Sequence, residues 1–404
     1  MKSNAAFPAG DDLLFPKRGI PYLLRLFLSL LSIALSITSS AVAAPPAIRP
    51  GSWTLAILPD TQYYALKYPE IFFAQTRFLA EQKASLNLVF VLHEGDVTQN
   101  NQPGEWLVAS RAFKLLEDAG VPYSLLPGNH DYAPDGSRRS SCLMAEYFPV
   151  SRLSAQKTFG GVYSGEPESP HNSYSIFHAG GKDWLVLALE FGPRDAVLQW
   201  ADGILKTYPK HQAIVVTHAY LYWDHTRLDW AAKGKSQKDN PHDYPFAKQP
   251  GGANDGQQIW EKLQENPNLQ FIFSGHNYNR EADDGFGYRA DQAKHGNVVH
   301  QILANYQYFR GRNCGDGYLR LLEFQADGRT VHVRTYSPFL DKSLTDEEND
   351  FLLTLTFAEQ ASNGGKIEPN ASQKRTGRIR HSSRFPMTDS DICKENYRWY
   401  EVCL

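Results

Sequence analysis

Five short polar clusters carry the chemistry open to this sequence, and each follows directly on an apolar run. Asp60-Thr61-Gln62 closes the first run, His93-Glu94-Gly95-Asp96 the second and Pro127-Gly128-Asn129-His130-Asp131 the third; Thr217-His218 and Ser274-Gly275-His276 close two later ones. Carboxylate, amide oxygen and imidazole are donors suited to zinc, manganese or iron. In open α/β sheets, ligands bind outside the carboxyl ends of the strands. Five strand ends delivering these donors to one edge therefore describe a metal site. Each cluster alone has an ordinary alternative: Gly-Asp is a common turn, a single His is commonly a core residue, and Gly-Asn-His-Asp could cap a loop. Those alternatives would have to coincide five times.

The elements that must position these groups follow from hydrophobic pattern. Residues 53–58, 88–92, 123–126, 214–216 and 271–273 read as short buried strands bounded by Gly, Pro, Asn or Asp. Between the first three lie stretches of helical character, 71–85 and 105–119. Strand, helix, strand, helix, strand is the rhythm of a mostly parallel sheet. Two hairpins are expected, one over 173–189 turning at Gly180-Gly181 and one over 318–336 turning at Asp327-Gly328. Hairpins after βαβ units suggest a second sheet packed on the first. The polar stretch 222–255, rich in Gly, Pro, Lys and Asp, is too long for an idle connector and reads as a lid or binding loop. Residues 362–383 read as a linker, and the aromatics that return near the end suggest docking.

The chain has 404 residues, 42% of them hydrophobic and 13% aromatic, which allows a sizeable core. Its formal net charge of −3 carries no basic footprint of a nucleic-acid binder. Lys17, Arg18 and Arg25 precede an apolar run of about a dozen residues and then Ala41-Val42-Ala43-Ala44, the order of a secretory signal. A stable membrane span needs roughly 20 residues. The expected organisation is a signal over 1–44, one domain over 45–345 and a C-terminal extension over 346–404, with the protein secreted or periplasmic. Four cysteines suit an exported chain: Cys393 could pair with Cys403, leaving Cys142 with Cys314, or all four could be free thiols.

Asp60-x-Gln62, Gly95-Asp96, Gly128-Asn129-His130-Asp131, His218 and Gly275-His276 resemble, in order, the five-block signature of the calcineurin-like metallophosphoesterases, whose blocks read D-x-H, G-D, G-N-H-D/E, H and G-H-x-H. Leu58-Pro59-Asp60-Thr61-Gln62-Tyr63 and Asn305-Tyr306-Gln307 also look like a secreted subgroup whose first block carries Gln. The resemblance implies an α/β fold, a four-layer α/β/β/α sandwich of two mixed sheets, and one or two divalent transition metals (Mn, Zn or Fe). It implies that Asp96 bridges the metals, that Asn129, His218 and His276 complete the second, and that Asp60, with Gln62, binds the first. It further implies hydrolysis of a small-molecule phosphate mono- or diester by in-line attack of a metal-bound hydroxide. His130 stands where the family keeps its general acid, and Asp131 is the nearest residue to orient it.

Two positions depart from the pattern, both at the first metal: Gln62 stands in place of His, and Tyr278 in place of the last His. His300, on a later strand, is a distant substitute. His93 is either a support of the site or a plain strand residue, Asn172 a turn residue or a site residue, and Arg227 a phosphate grip or a surface charge. The departures keep a second reading open, a non-catalytic metal-containing binding domain of the same fold. A metal-dependent amidohydrolase is disfavoured because its usual H-x-H opening is absent.

Overall fold

Residues 46–132, 136, 138–309 and 313–358 are described by the computed structural model. The leader over 1–44, the linker over 362–383, and Cys393 and Cys403 lie outside the described residues.

In chain order the strands are β1 (Trp53–Leu58), β2 (Leu88–His93), β3 (Tyr123–Ser124), β4 (Phe159–Val162), β5 (Ser173–Ala179), β6 (Lys182–Leu189), β7 (Gln212–Thr217), β8 (Leu269–Ser274), β9 (Phe286–Gln292), β10 (Val298–Ala304), β11 (Leu319–Phe324), β12 (Thr330–Ser337), β13 (Lys342–Leu344) and β14 (Asp350–Thr354). The helices that pack on them are α1 (Gln62–Leu66), α2 (Pro69–Glu81), α3 (Pro103–Asp118), α4 (Asp195–Thr207) and α5 (Gly256–Leu263). Proline opens both α2 and α3. Its fixed φ and missing N–H suit the first helical position, so each helix starts two residues before the expected bound.

One sheet runs β13-β12-β11-β1-β2-β3, with β14 also on β12; the other runs β4-β5-β6-β7-β8-β10-β9. In the first sheet β1, β2 and β3 are parallel and β11 is antiparallel to β1. In the second, β6, β7, β8 and β10 are parallel. Strands buried on both faces read as continuous apolar runs, and alternation along β1 shows why. Ala56 and Leu58 face α2 and α3, whereas Leu55 and Ile57 face the other sheet. There they meet Phe177, Val186, Val216 and Phe273. The far face of the second sheet, through Leu185, Leu187 and Val215, packs on Val197, Leu198 and Leu205 of α4 and Ile259 and Leu263 of α5. The layers are therefore α/β/β/α, the expected sandwich.

Three expectations are corrected. The five ligand-bearing strands do not share one sheet: β1, β2 and β3 belong to the first, β7 and β8 to the second. Likewise one hairpin, β5–β6, enters the second sheet while the other, β11–β12, returns to the first. The Cys142–Cys314 pair does not form. Cys142 is a free thiol and Cys314 is disulfide-bonded. Cys142 packs instead as a small apolar side chain against the α2–α3 core.

Stretch 222–255 is folded rather than open. Short helical turns at Trp230–Lys233, Pro241–Asp243 and Pro245–Lys248 run through it. Leu228, Phe246 and Ala253 pack with Tyr132, Phe191 and Ala219. Among the described residues no helix is long and apolar enough to cross a membrane.

Candidate functional site

The carboxyl ends of β1, β2 and β3 meet those of β7 and β8 across the gap between the sheets. His276, after β8, presents its backbone N–H 3.2 Å from both carboxylate oxygens of Asp60, after β1. His218, after β7, places Nε2 3.2 Å from Asp96 Oδ1 and 3.1 Å from Asn129 Oδ1. His276 Nδ1 is 3.1 Å from the same His218 nitrogen. One ligand atom from each of Asp96, His218 and His276 lies within 4.8 Å of the others.

Glycine makes this approach possible. A Cβ on Gly128 would lie 2.1 Å from Asp96 Oδ1 and 2.3 Å from its backbone nitrogen, and one on Gly275 would lie 2.2 Å from Asp60 Oδ2. In both clusters the glycine before the ligand leaves room for a ligand from another strand. Asp96 and His276 are themselves held at positive φ, 49° and 70°. Strained backbone of that kind persists where surroundings over-determine it, and it gathers at functional sites.

Hydrogen bonding fixes where the lone pairs point. His218 Nδ1 is 2.9 Å from the Glu94 carbonyl and His276 Nε2 is 2.8 Å from the Asp239 carbonyl. A carbonyl only accepts, so each of these nitrogens donates, and the other ring nitrogen turns inward. Asp96 Oδ1, Asn129 Oδ1, His218 Nε2 and His276 Nδ1 thus converge as acceptors that need positive charge among them. Protons alone meet the need by ionising one pair. Burial works against a charged His218, but the Asp96 carboxylate lifts it to about 9. Burial likewise opposes the Asp96 charge, yet His218, His130 and His276 hold that carboxyl below the ordinary range. Burial and His218 push His276 down to about 3, the neutral imidazole a metal requires. A divalent cation satisfies the same four atoms, so the residues fit one.

On the other side of Asp96 the donors are oxygens. Burial raises the Asp60 carboxyl to about 7, with Asp96 adding to the rise. Gln62, 1% exposed, has an amide oxygen with no partner. Tyr278 donates its hydroxyl to Asp283, and burial with that carboxylate pushes the phenol well above its usual range. That hydroxyl is engaged by Asp283. His300 is no substitute either, because its ring nitrogens face the Tyr288 hydroxyl and the Thr354 carbonyl.

His130 sits on a 3₁₀ turn, His130–Tyr132, its N–H donating to Asp96 Oδ1 at 3.0 Å. Its Nδ1 meets the Gln99 carbonyl at 2.9 Å and must donate there. The expected partnership with Asp131 is corrected: that carboxylate accepts from the N–H groups of Val97, Thr98 and Gly128 and from the Thr98 hydroxyl. The 3₁₀ turn directs it into the loops, where it holds the Asp96 and Asn129 segments in register. Asp131 is thus a scaffold residue, and Gln99 orients His130.

Other polar residues sort cleanly. His93 bonds Thr61 Oγ1 and accepts from the Gly95 N–H, tying the loops after β1 and β2 together. Arg227 is neither a phosphate grip nor a surface charge; it is buried on Tyr220, Gln301 and Asp291. Asn172 braces Glu190 through both ends of its amide. Asn305 donates to the His276 carbonyl and accepts from the Gln307 N–H. Gln99 and Asp239 escaped sequence reasoning because both act through backbone carbonyls, which no side chain advertises. Glu94 supports His218 in the same way. Its own carboxyl is fully buried, has no hydrogen-bond partner, and is held well above the usual range by burial and Asp60.

Residues 54–279 match the family model described as calcineurin-like phosphoesterase, a stretch that begins on β1 and ends just past Tyr278. The chain belongs to this family. The chain holds a calcineurin-like phosphoesterase domain. It is 32% identical over 305 residues to the uncharacterized protein YvnB of Bacillus subtilis (strain 168), a match spanning 73% of this chain but only 21% of that protein. Among solved structures it is similar to a dimetal phosphatase from Danio rerio, at 12% identity and a TM-score of 0.45, covering 75% of this chain and 99% of that one. It is also similar to the purple acid phosphatase PPD1 of yellow lupin (Lupinus luteus), at 13% identity and a TM-score of 0.44, covering 77% and 55%.

Proposed function

We propose that this metallophosphoesterase hydrolyses small-molecule phosphate mono- or diesters outside the cytoplasm. Asp96, Asn129, His218 and His276 would hold one divalent transition metal, and Asp60, Gln62 and Asp96 a second. The observation that carries the reading is the convergence of four acceptor atoms, two of them imidazole nitrogens whose lone pairs are aimed by the Glu94 and Asp239 carbonyls. Bound divalent cations supply Lewis acidity, lowering the pKa of water and offsetting phosphoryl charge. The chain's own part is to hold and protonate. Gln99 engages the His130 Nδ1–H, so Nε2 is the ring atom that would carry, in the imidazolium form, the proton handed to a departing oxygen. Phe191, whose ring lies 5.5 Å from His218 and 5.2 Å from His276, closes one wall with an apolar surface. Export is supported by the order of the leader and by the disulfide at Cys314.

The test is turnover of an aryl phosphate and an aryl phosphodiester, each with and without added manganese. Manganese-stimulated release of the phenol from at least one is expected. The departures at Gln62 and Tyr278 favour the second reading, a non-catalytic metal-containing binding domain. Failure of both esters to turn over, with metal bound, would select it.

A further inference from the structure

Cys314 is disulfide-bonded and Cys142 is a free thiol. The other cysteines of the chain are Cys393 and Cys403, so within one chain the partner of Cys314 is one of these, in the C-terminal extension. Cys314, 2% exposed, sits on a loop close to the candidate site. The Gly317 N–H of that loop donates to the Tyr64 hydroxyl at 2.9 Å, and Tyr64 belongs to α1, the helix that Gln62 opens. The Asp316 carbonyl accepts from the Ser337 hydroxyl at the end of β12. The described chain leaves from the opposite end of that strand, where the Leu355 N–H donates to the Arg329 carbonyl. The eight residues of β12 span ~26 Å. Residues 359–392, fully extended, would cover about 110 Å. The extension therefore has ample length to return along the edge of the first sheet to Cys314.

That edge, formed by β13 and β14, is acidic. Asp341, Asp346, Glu347, Glu348 and Asp350 lie along 341–350 with Lys342 as the one cation, and Asp341, Asp346 and Glu347 are exposed. The extension has the opposite charge: Lys374, Arg375, Arg378, Arg380 and Arg384 stand within 369–388, where there is no acidic residue. Apolar groups match as well. Phe339, 40% exposed, has its Cβ 3.2 Å from where a Gly317 Cβ would stand, beside the Cys314 loop. Tyr397, Trp399 and Tyr400 lie between Cys393 and Cys403. We propose that the C-terminal extension is a covalent strap on this face. A disulfide from Cys314 to Cys393 or Cys403 ties it beside α1, and its basic stretch lies on the acidic segment 341–350. The tie clamps a loop that reaches the site by a second route: a Cβ on Gly315 would fall 2.4 Å from the Tyr306 carbonyl, and the neighbouring Asn305 holds the His276 carbonyl. An exported setting keeps such a bond oxidised.

The full chain, purified without reductant, is alkylated in denaturant, digested and mapped by mass spectrometry. The expected result is a Cys314 peptide joined to one bearing Cys393 or Cys403, with Cys142 alkylated. An alkylated Cys314, a Cys393–Cys403 pair, or Cys314 joined to a second copy of the chain would overturn the proposal. The docking is read separately, by tryptic cleavage of the folded protein within 374–384. Asp346→Asn with Glu347→Gln leaves the bond in place and should speed cleavage there by roughly 2- to 10-fold, the size two exposed ion pairs supply, at an unchanged melting temperature. In the unaltered protein the cleaved fragment that bears the bonded cysteine should separate only after a dithiol reductant is added. An unchanged cleavage rate in the variant, or release of that fragment without reductant, would overturn the strap.

Discussion

Replacing His130 by asparagine is expected to slow ester hydrolysis by roughly 10²- to 10⁴-fold, the usual size of a general-acid contribution, while metal content stays unchanged. The geometry separates the two effects. His130 contributes its backbone N–H to Asp96, and that bond survives the substitution; its ring meets the Gln99 carbonyl through Nδ1. The substitution removes the imidazole, and with it the proton that Nε2 would carry. A dinitrophenolate departs with little help, so the deficit should shrink sharply for dinitrophenyl esters relative to phenyl esters. Equal losses on the two esters would show that His130 acts otherwise, for example by binding phosphate.

Gly128→Ala is expected to cost as much as losing a ligand. Its Cβ would fall 2.1 Å from Asp96 Oδ1 and 2.3 Å from Asp96 N. The second of these is backbone, held by the Asp131 carboxylate on the loop that follows, and cannot swing aside. Either Asp96 or Asn129 must leave its place. Overpacking of this kind destabilises by about 1–3 kcal/mol, and the activity should fall with the displaced ligand. Gly203→Ala is the matched control, since a Cβ there, on α4, meets nothing within 4 Å. It should leave activity alone and stabilise by about 0.5–1 kcal/mol, the ordinary gain from removing a helical glycine. Full activity and an unchanged melting temperature in Gly128→Ala would mean that Asp96 does not stand where the structure puts it.

The candidate donors were legible in the sequence because side-chain type and strand-end position both leave marks on it. Asp60, Asp96, His218 and His276 follow directly on the ends of β1, β2, β7 and β8, while Gln62 opens α1 and Asn129 lies in the loop beyond β3. Sheet membership was not legible. A parallel strand buried on both faces has the same apolar run in either sheet, so nothing in residues 214–216 or 271–273 distinguishes the second sheet from the first. Asp131 misled because adjacency in sequence says nothing of direction once a 3₁₀ turn intervenes. Gln99, Glu94 and Asp239 serve through carbonyls and could not have been found from residue type. Helix α5 could have been: Asp255 and Gln258 form a reciprocal capping box at its start, a spacing readable without coordinates. Helix α4 likewise shows Val197, Leu198, Ala201 and Leu205 at helical spacing.

The central claim is that catalysis depends on a cation held by Asp96, Asn129, His218 and His276. It is tested most directly by assaying phosphate ester hydrolysis in protein stripped exhaustively with a chelator, its metal content verified as nil, before and after metal is returned. The account predicts no turnover in the stripped protein and recovery when zinc or manganese is restored. Undiminished turnover by protein shown to hold no metal would contradict it.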